Sequence, residues 1–300
     1  MVKNMTFKEI QRQKIAEIER ILRTYLPEAE GEQAVIMEAM EYSLMAGGKR
    51  LRPMLMQETF RLFGGEGEIV EPFMAALEMI HTYSLVHDDL PAMDNDTYRR
   101  GRETTHVVYG EALGILAGDA LLNYAFETAA DSFLAFPQES GKLGAAMQIL
   151  AKKAGIHGMI GGQVIDIQND GKPVTRELLD QINVLKTSAL IESAMMIGAA
   201  LAGADEKAVS DMEKVASNVG MAFQIQDDIL DVTSTEEVLG KPIGSDAKND
   251  KITYVSLLGL EEAKHWVEKL SEEAITILED RQEKNPYLTE LLRMLIYREK

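Results

Sequence analysis

Residues 71–90 read EPFMAALEMIHTYSLVHDDL, a segment that is apolar along most of its length. Two adjacent aspartates, Asp88 and Asp89, lie near its end, and Pro91 follows. An apolar surface on all sides is typical of a helix inside a protein core. Proline disfavours helical backbone at the preceding residue and supplies no N–H group. The segment therefore predicts an apolar helix that ends in a pair of carboxylates.

Helical patterns extend over most of the chain. Residues 7–26 alternate charges with isoleucines and leucines at helical spacing, and a second apolar helix ends in a double aspartate at AFQIQDDIL (222–230). Strand signals are few, and no linker rich in Pro, Gly or Ser divides the chain. We therefore predict an all-α fold, a single large helical bundle in one domain over residues 1–300. Further predicted helices cover residues 32–48, 53–65, 113–136, 143–167, 175–203 and 206–232.

Composition excludes several classes of function. The 300 residues contain no cysteine, which removes thiol catalysis, Cys-ligated zinc and disulfides and fits a reducing cytoplasm. A formal net charge of −18 argues against nucleic acid as the main partner. The N-terminal sequence does not combine a basic start with an apolar stretch, so we expect no signal peptide. The longest apolar run, 193–204, is too short for a membrane span, so we expect no membrane insertion.

The second aspartate cluster has the simpler geometry. Asp227, Asp228 and Asp231 form a DDxxD motif, and the spacings of three and four residues put Asp231 on the same helix face as the other two. Like charges at these spacings repel, so a cation should offset their cost. Mg²⁺ commonly binds through one or two carboxylates plus substrate phosphates. For this cluster alone, a solvated or helix-capping role is an equally good interpretation.

The first cluster, Asp88, Asp89 and Asp94, has the spacing DDxxxxD and contains Pro91. We predict that the chain bulges at the proline and brings Asp94 back near Asp88. Because both clusters follow apolar helices, the pair indicates a metal site rather than two solvated loops.

Basic residues accompany the aspartates. Three of them precede a predicted helix start, where backbone N–H groups also favour anions, and three more follow the first cluster, with planar guanidinium groups that suit phosphate oxygens. Single lysines interrupt an apolar helix and a Gly- and Asp-containing loop; alone, each is typical of ordinary surface charge. These residues are Lys49, Arg50 and Arg52; Arg99, Arg100 and Arg102; and Lys186, Lys241 and Lys251.

Six motifs in chain order resemble the trans-isoprenyl diphosphate synthases, or polyprenyl synthetases, and most closely the bacterial farnesyl diphosphate synthases. They are GGKRLRP, HTYSLVHDDLPAMDNDTYRRGR, LAGDALL, GMIGGQVIDI, LKTSALI and FQIQDDILD. The resemblance implies a bundle of the isoprenoid synthase type, with both aspartate motifs facing a central cavity. It also implies a homodimeric prenyltransferase that uses Mg²⁺, three ions per active site, to join an allylic diphosphate to isopentenyl diphosphate.

The resemblance assigns roles to individual residues. Asp88, Asp94 and Asp227 would be the principal Mg²⁺ ligands, supported by Asp89, Asp228 and Asp231. Lys49, Arg52, His81 and Arg100 would hold isopentenyl diphosphate. Arg99, Lys186, Thr187, Gln224 and Lys241 would contact the allylic diphosphate. Lys186, Thr187 and Gln224 would also be catalytic, with oxygen atoms facing the carbocation. One departure from the family pattern is Asp250 before Lys251, which leaves the role of Lys251 open.

Product length follows from residues just before the first cluster. Tyr83 and Ser84 precede Asp88 by five and four residues, so Tyr83 lies about 7.5 Å along the helix axis from the metal end at 1.5 Å per residue. In the family, an aromatic residue here usually stops growth at fifteen carbons. The resemblance therefore implies farnesyl diphosphate as product; an ordinary core tyrosine is the alternative interpretation.

Other functions stay open on the sequence alone. A geranylgeranyl or geranyl diphosphate synthase of the same family would need only a different product length. A di-iron carboxylate bundle would use Glu-x-x-His pairs, and Glu78 with His81 and Glu103 with His106 have that spacing. A terpene cyclase would need no second diphosphate site, and non-catalytic partner subunits typically lose one aspartate motif. Two further aspartates interrupt apolar helices and are candidates for hydrogen bonds that orient neighbours; they are Asp119 and Asp166.

Overall fold

The computed structural model describes residues 5–233 and 252–296 of the chain. Nearly all of this part is helical, and its strands are a two-residue antiparallel pair, β1 (Tyr98–Arg99) and β2 (Arg102–Glu103). The prediction of an all-α fold is therefore confirmed. The first helices are α1 (Phe7–Thr24), α2 (Ala34–Leu44), α3 (Leu51–Leu62), α4 (Glu71–Asp88), α5 (Thr105–Tyr109), α6 (Glu111–Ala135) and α7 (Ser140–Ala154), with a 3₁₀ turn at Pro137–Glu139. The later helices are α8 (Met159–Asn169), α9 (Arg176–Asn183), a π-helical segment (Val184–Ser188), α10 (Ala189–Ala202), α11 (Glu206–Thr233), α12 (Tyr254–Leu258), α13 (Leu260–Glu279) and α14 (Pro286–Ile296).

The helix ends follow local chemistry. Thr6 caps α1 in a capping box, in which its side chain accepts from the Glu9 backbone and its backbone N–H donates to the Glu9 carboxylate. Helix α3 begins two residues before Pro53, in the first turn, where a missing N–H group costs no helical hydrogen bond. Helix α10 ends at Ala202, and the left-handed backbone of the next residue, Gly203, caps it.

The chain divides into two compact units. One contains the chain up to Gln57 together with Glu66–Met147, and the other contains Glu58–Gly65 and the chain from Gln148 onward. The single domain predicted from the sequence stays a prediction.

The first unit is built around α4 and α6. Helix α4 is buried along most of its length, from Phe73 to Val86, which explains its apolar sequence. It packs mainly against α6, while α2 and α5 also pack on α6 and α1 packs on α4. The face of α6 that is buried carries small side chains, among them Gly114, Ala117 and Gly118, and these allow the two helices to approach closely.

The second unit is built around α11, which packs against α10 and α13. Helices α8 and α9 pack on the π-helical segment, and α14 packs on α11 and α13. The stretch Arg176–Ala202 is long and apolar enough to cross a membrane by composition, but 67% of its most apolar window is buried inside the fold. The core helix of a globular protein has the same properties.

Candidate active site

The first aspartate cluster forms a tight turn at the end of α4. Asp88 is the last residue of the helix, and the Asp94 N–H donates to the Asp88 carbonyl at 2.8 Å. The Asn95 N–H donates to the Leu90 carbonyl at 3.1 Å, and Asn95 itself has a φ of 54°. The chain therefore bulges at Pro91 and returns Asp94 beside Asp88, as the motif spacing predicted.

The middle aspartate of this turn contacts an arginine. Asp89 is 4% exposed, and the Arg99 Nε donates to its Oδ1 at 2.6 Å. A longer bond of 3.4 Å joins Arg99 to Asp96. Burial raises the pKa of Asp89, while the bond from Arg99 opposes the rise. Asp89 thus orients Arg99, a contact between two predicted site residues that the sequence did not indicate.

Four predicted residues meet in one basic pocket of the first unit. Lys49, Arg52, His81 and Arg100 line a cavity of about 510 Å³. Burial, together with the arginines around it, holds the pKa of His81 well below its ordinary 6.5, so the imidazole is neutral at neutral pH. Burial also lowers the pKa of Arg52 and Arg100, but arginine stays protonated in proteins. The pocket can hold an anion with several charge-assisted hydrogen bonds.

Two adjacent glycines form the turn beside this pocket, and Gly48 lines it. Gly47 and Gly48 have φ values of 86° and 134°, which side-chain-bearing residues rarely adopt. The Arg100 guanidinium donates to the Gly47 carbonyl, and a Cβ atom on Gly48 would lie 2.7 Å from an Arg100 nitrogen. Both glycines are therefore favoured by their backbone conformation, and at Gly48 the close approach of Arg100 also leaves little room for a side chain.

Tyr83 lies buried one turn before the aspartates. Its ring is 6% exposed and packs edge-on against His87, with ring centroids 5.7 Å apart. Its hydroxyl has no hydrogen-bond partner among the residues that the structure describes. Burial, with a contribution from the charge of Asp88, raises the pKa of Tyr83 to about 12. The Ser84 hydroxyl donates to the His81 carbonyl at 2.8 Å, within the same helix.

His87 connects α4 to α6. Its Nε2 lies 3.1 Å from the Ile115 carbonyl and 3.7 Å from an Asp119 carboxylate oxygen. A Cβ atom on Gly118 would overlap the His87 ring. The ring therefore occupies the space that the glycine leaves, next to the helix end that carries the aspartates.

In the second unit, Lys186 and Thr187 lie in the π-helical segment. The Lys186 Nζ donates to the Asp166 Oδ2 on α8 at 2.6 Å, which confirms the hydrogen bond expected of Asp166. A Cβ atom on Gly162 would overlap the backbone nitrogen of Lys186, so α8 contacts this segment through its main chain. Single-turn π-helices are frequent at functional sites.

The second aspartate cluster lies on α11 near its end, together with Gln224. Asp231 is 2% exposed, and the Asp228 Oδ2 accepts from the Tyr254 N–H at 2.7 Å. The Tyr254 hydroxyl donates to the Asp180 Oδ1, also at 2.7 Å, and burial raises the pKa of Tyr254. Asp227 lies on the same helix. The predicted allylic-diphosphate residue Lys241 lies outside the described residues, as do Asp250 and Lys251.

Both aspartate motifs offer the oxygen ligands that Mg²⁺ prefers. Asp88 and Asp94 form a pair at one turn, and Mg²⁺ commonly binds one or two carboxylates plus substrate phosphates. The residue types and the turn geometry therefore fit this ion. Within residues 5–233 and 252–296, no three His, Asp or Glu side chains converge as a metal-binding group.

Comparison with known proteins decides the family. Residues 33–294 match the family model described as Polyprenyl synthetase. The chain belongs to the polyprenyl synthetase family. This confirms the resemblance seen in the six motifs, and it makes the chain a prenyltransferase of the trans-prenyl diphosphate synthase type. It also replaces the di-iron alternative, in which Glu78 would be a metal ligand; the Glu78 carboxylate instead accepts from Arg50 at 2.9 Å.

Relatives within the polyprenyl synthetase family carry different product names. The chain is 50% identical over 248 residues, 81% of each chain, to a geranylgeranyl diphosphate synthase of Cyanophora paradoxa. It is 46% identical over 249 residues, 82% of each chain, to a farnesyl diphosphate synthase of Geobacillus stearothermophilus. Among solved structures, it is similar to an FPP/GFPP synthase from Zymomonas mobilis, with a TM-score of 0.84, 33% identity and coverage of 97% and 98%. The confirmed fold is therefore that of the isoprenoid synthases.

Three residues have contacts at these sites that the sequence did not predict. Arg50 and Glu78 line the basic pocket, and Tyr254 contacts the second aspartate cluster. Glu78 interrupts an apolar helix, which is a sequence signal for a buried charge with a partner. Tyr254 offers no comparable signal, because its contacts connect α12 to residues far away in the sequence.

Proposed function

We propose that the chain is a farnesyl diphosphate synthase, which condenses isopentenyl diphosphate with dimethylallyl diphosphate and then with geranyl diphosphate. Family membership supports prenyl transfer, and the buried ring of Tyr83 carries the proposal for the fifteen-carbon product. A geranylgeranyl diphosphate synthase is the second candidate, because a relative 50% identical to the chain has that name.

The proposed mechanism begins with ionisation of the allylic diphosphate. Three Mg²⁺ ions per active site, held by Asp88, Asp94 and Asp227 with support from Asp89, Asp228 and Asp231, would neutralise charge on the departing diphosphate. Arg99, Lys186 and Lys241 bind the same group. The Lys186 carbonyl, the Thr187 hydroxyl and the Gln224 side-chain oxygen face the allylic cation and stabilise it. An apolar surrounding excludes water that would otherwise trap the cation.

The second substrate binds in the basic pocket. Lys49, Arg52 and Arg100 hold the diphosphate of isopentenyl diphosphate, and neutral His81 donates a further hydrogen bond through its one N–H group. The isopentenyl double bond attacks the allylic cation and forms the new carbon–carbon bond. The resulting cation then loses a proton to the diphosphate that has left.

Tyr83 limits the length of the prenyl product because its ring occupies the space next to the metal end of α4. Leaving a buried hydroxyl unpaired costs about 1–3 kcal/mol, so stability alone does not favour tyrosine over phenylalanine here. Ser84 is the second proposed length-determining residue, since it lies one helical turn before Asp88.

The experiment incubates the purified chain with isopentenyl and dimethylallyl diphosphates and Mg²⁺ and measures product length. We expect farnesyl diphosphate from the wild type, longer products from Tyr83→Ala, and unchanged length from the matched control Tyr83→Phe, which keeps the ring. Removal of Mg²⁺ with EDTA should abolish turnover. A twenty-carbon product from the wild type would support the second candidate, and unchanged length in Tyr83→Ala would overturn the role of Tyr83.

We further propose a homodimer made of single-domain chains in the cytoplasm. Exposed apolar side chains on α5 and α6 of the first unit support self-association; they are Val107, Val108, Ile115 and Leu116. Light scattering that gives the monomer mass of 33.3 kDa would contradict the homodimer.

A further inference from the structure

The basic pocket contains a buried ion pair to which the proposed mechanism gives no role. Arg50 and Glu78 both line the cavity, next to the residues proposed to bind isopentenyl diphosphate. We infer that Arg50 and Glu78 form a positioning pair, which holds the pocket wall at residues 47–50 in the conformation that binds the diphosphate. The identity of that anion rests on the proposed function, whereas the pair itself is seen in the structure.

Arg50 fixes the backbone of the pocket wall from the protein interior. Its side chain is 0% exposed, and its own φ of 48° lies in the left-handed region that a non-glycine residue rarely adopts. Its guanidinium donates to the Leu44 carbonyl at 2.8 Å and to the Glu78 carboxylate at 2.9 Å. A weaker contact of 3.5 Å reaches Glu19. These bonds tie the unusual turn to the end of α2 and to the middle of α4.

Glu78 is the acidic member among the described residues that line this cavity. The cavity also contains four cationic side chains, those of Lys49, Arg50, Arg52 and Arg100. Glu78 is 3% exposed, so water cannot solvate its charge, and Arg50 neutralises it. A carboxylate is electrostatically unfavourable in a site for an anion. Its presence is therefore explained by what it does for Arg50 rather than by a contact with substrate.

The turn is held from its other side by Arg100, which donates to the Gly47 carbonyl. A diphosphate that takes the Nη1 donor of Arg100 displaces this carbonyl from the guanidinium. Once the anion has taken Arg100, the contact from Arg50 is the one that keeps the turn in place. The pair therefore matters most in the substrate-bound pocket.

The experiment measures the affinity for inorganic pyrophosphate by calorimetry in EDTA, so that binding depends on the basic pocket and not on Mg²⁺. We expect Glu78→Gln to weaken binding about tenfold, although the substitution removes a negative charge from an anion site. Arg50→Lys, which loses the planar fork, should weaken binding by a similar factor. The double variant should be little weaker than either single variant, because the two residues act as one unit.

The matched control is Glu192→Gln. Glu192 is also a buried glutamate, 4% exposed, and its carboxylate pairs with Lys153 in the second unit; neither residue lines the basic pocket. This variant should lose stability as Glu78→Gln does and yet keep its pyrophosphate affinity. In turnover assays, Glu78→Gln and Arg50→Lys should raise the KM for isopentenyl diphosphate and leave the KM for the allylic diphosphate unchanged.

The direction of the change separates the possible roles of Glu78. Tighter pyrophosphate binding by Glu78→Gln would show that the carboxylate acts only as a repelling charge, and would overturn the inference. Equal affinity in Glu78→Gln and Glu192→Gln, or an equal rise in both KM values, would overturn it too. Weaker pyrophosphate binding in a chain that forms no prenyl product would support the pair and contradict the proposed function.

Discussion

His81 is a neutral imidazole in a group of cations that come from several parts of the first unit. Arg52 on α3, Arg50 beside it, and Arg99 and Arg100 at the β-hairpin all lower its pKa, after burial, which is the largest cause. The carboxylate of Glu78 lies in the same pocket. Protonation of His81 is unfavourable in the folded chain, so its protonation is coupled to the stability of the fold.

We predict that this linkage makes the protein sensitive to acid. A histidine in the unfolded chain titrates near pH 6.5, whereas folded His81 titrates well below that value. Between the two pKa values the unfolded chain binds a proton that the folded chain does not. The free energy of unfolding should therefore fall as the pH drops below about 6.5, and His81 should add no pH dependence above it.

Urea unfolding over a pH series measures this dependence. His81→Asn should show a shallower loss of stability on acidification than the wild type. His157→Asn, a substitution at an exposed histidine, should follow the wild-type curve. Identical pH dependence in the wild type and His81→Asn would contradict the prediction.

A charged residue or a proline inside an apolar segment can be recognised from the sequence alone. Asp88 and Asp94 were predicted to approach each other because a proline interrupts the helix between them. Lys186 interrupts an apolar helix, which alone is typical of surface charge, and its site role came from the resemblance to the family. Glu78 gave the same kind of signal, but its partner Arg50 lies 28 positions away. The pairing depends on how the turn before α3 packs against α4, which local patterns in a sequence do not contain.

At the scale of elements, periodicity predicted the presence of helices better than their interruptions. Residues 143–167 were predicted as one helix, but the structure has α7 and α8 there, separated by the turn between Gly155 and Gly158. Residues 175–203 are helical as predicted, but they contain the π-helical segment. A π-helix adds one residue to a turn without changing side-chain polarity, so an apolar pattern does not reveal it.

We predict that the contact between α8 and the π-helical segment sets the position of Lys186. A Cβ atom on Gly162 would overlap backbone atoms of Leu185 and Lys186, which cannot rotate away as a side chain can. Gly162→Ala should therefore shift Lys186 and Thr187, and a displacement near 1 Å at a positioning group lowers kcat on the order of 100-fold.

Steady-state kinetics of the Gly162→Ala variant provide the measurement. The matched control is Gly141→Ala on α7, where an added Cβ atom meets no other atom within 4 Å. The control should keep wild-type kcat and gain slightly in stability, because alanine favours helix over glycine. Wild-type kcat in Gly162→Ala would show that the segment does not need this close backbone contact.

At the scale of the whole molecule, the boundary between the two compact units falls inside helices. Residues 51–57 of α3 belong to the first unit and residues 58–62 to the second. Helix α7 is divided in the same way, after Met147. Independent domains are normally separated by exposed linkers in which few contacts cross. A boundary inside two helices differs from that arrangement, and the single domain predicted from the sequence stays a prediction.

We predict from these divided helices that the chain unfolds in one cooperative transition. Helix formation is cooperative, so loss of half of α3 or α7 destabilises the other half. The chain has one tryptophan, Trp266, which lies on α13 in the second unit, so its fluorescence reports on that unit alone. Far-UV circular dichroism reports on the helices of both units. The two signals should give the same urea midpoint, as two-state unfolding requires.

Inorganic pyrophosphate, which should bind only the first unit in EDTA, should then shift the Trp266 midpoint as far as the dichroism midpoint. A Trp266 transition that stays fixed while the dichroism midpoint moves would identify two domains that fold independently.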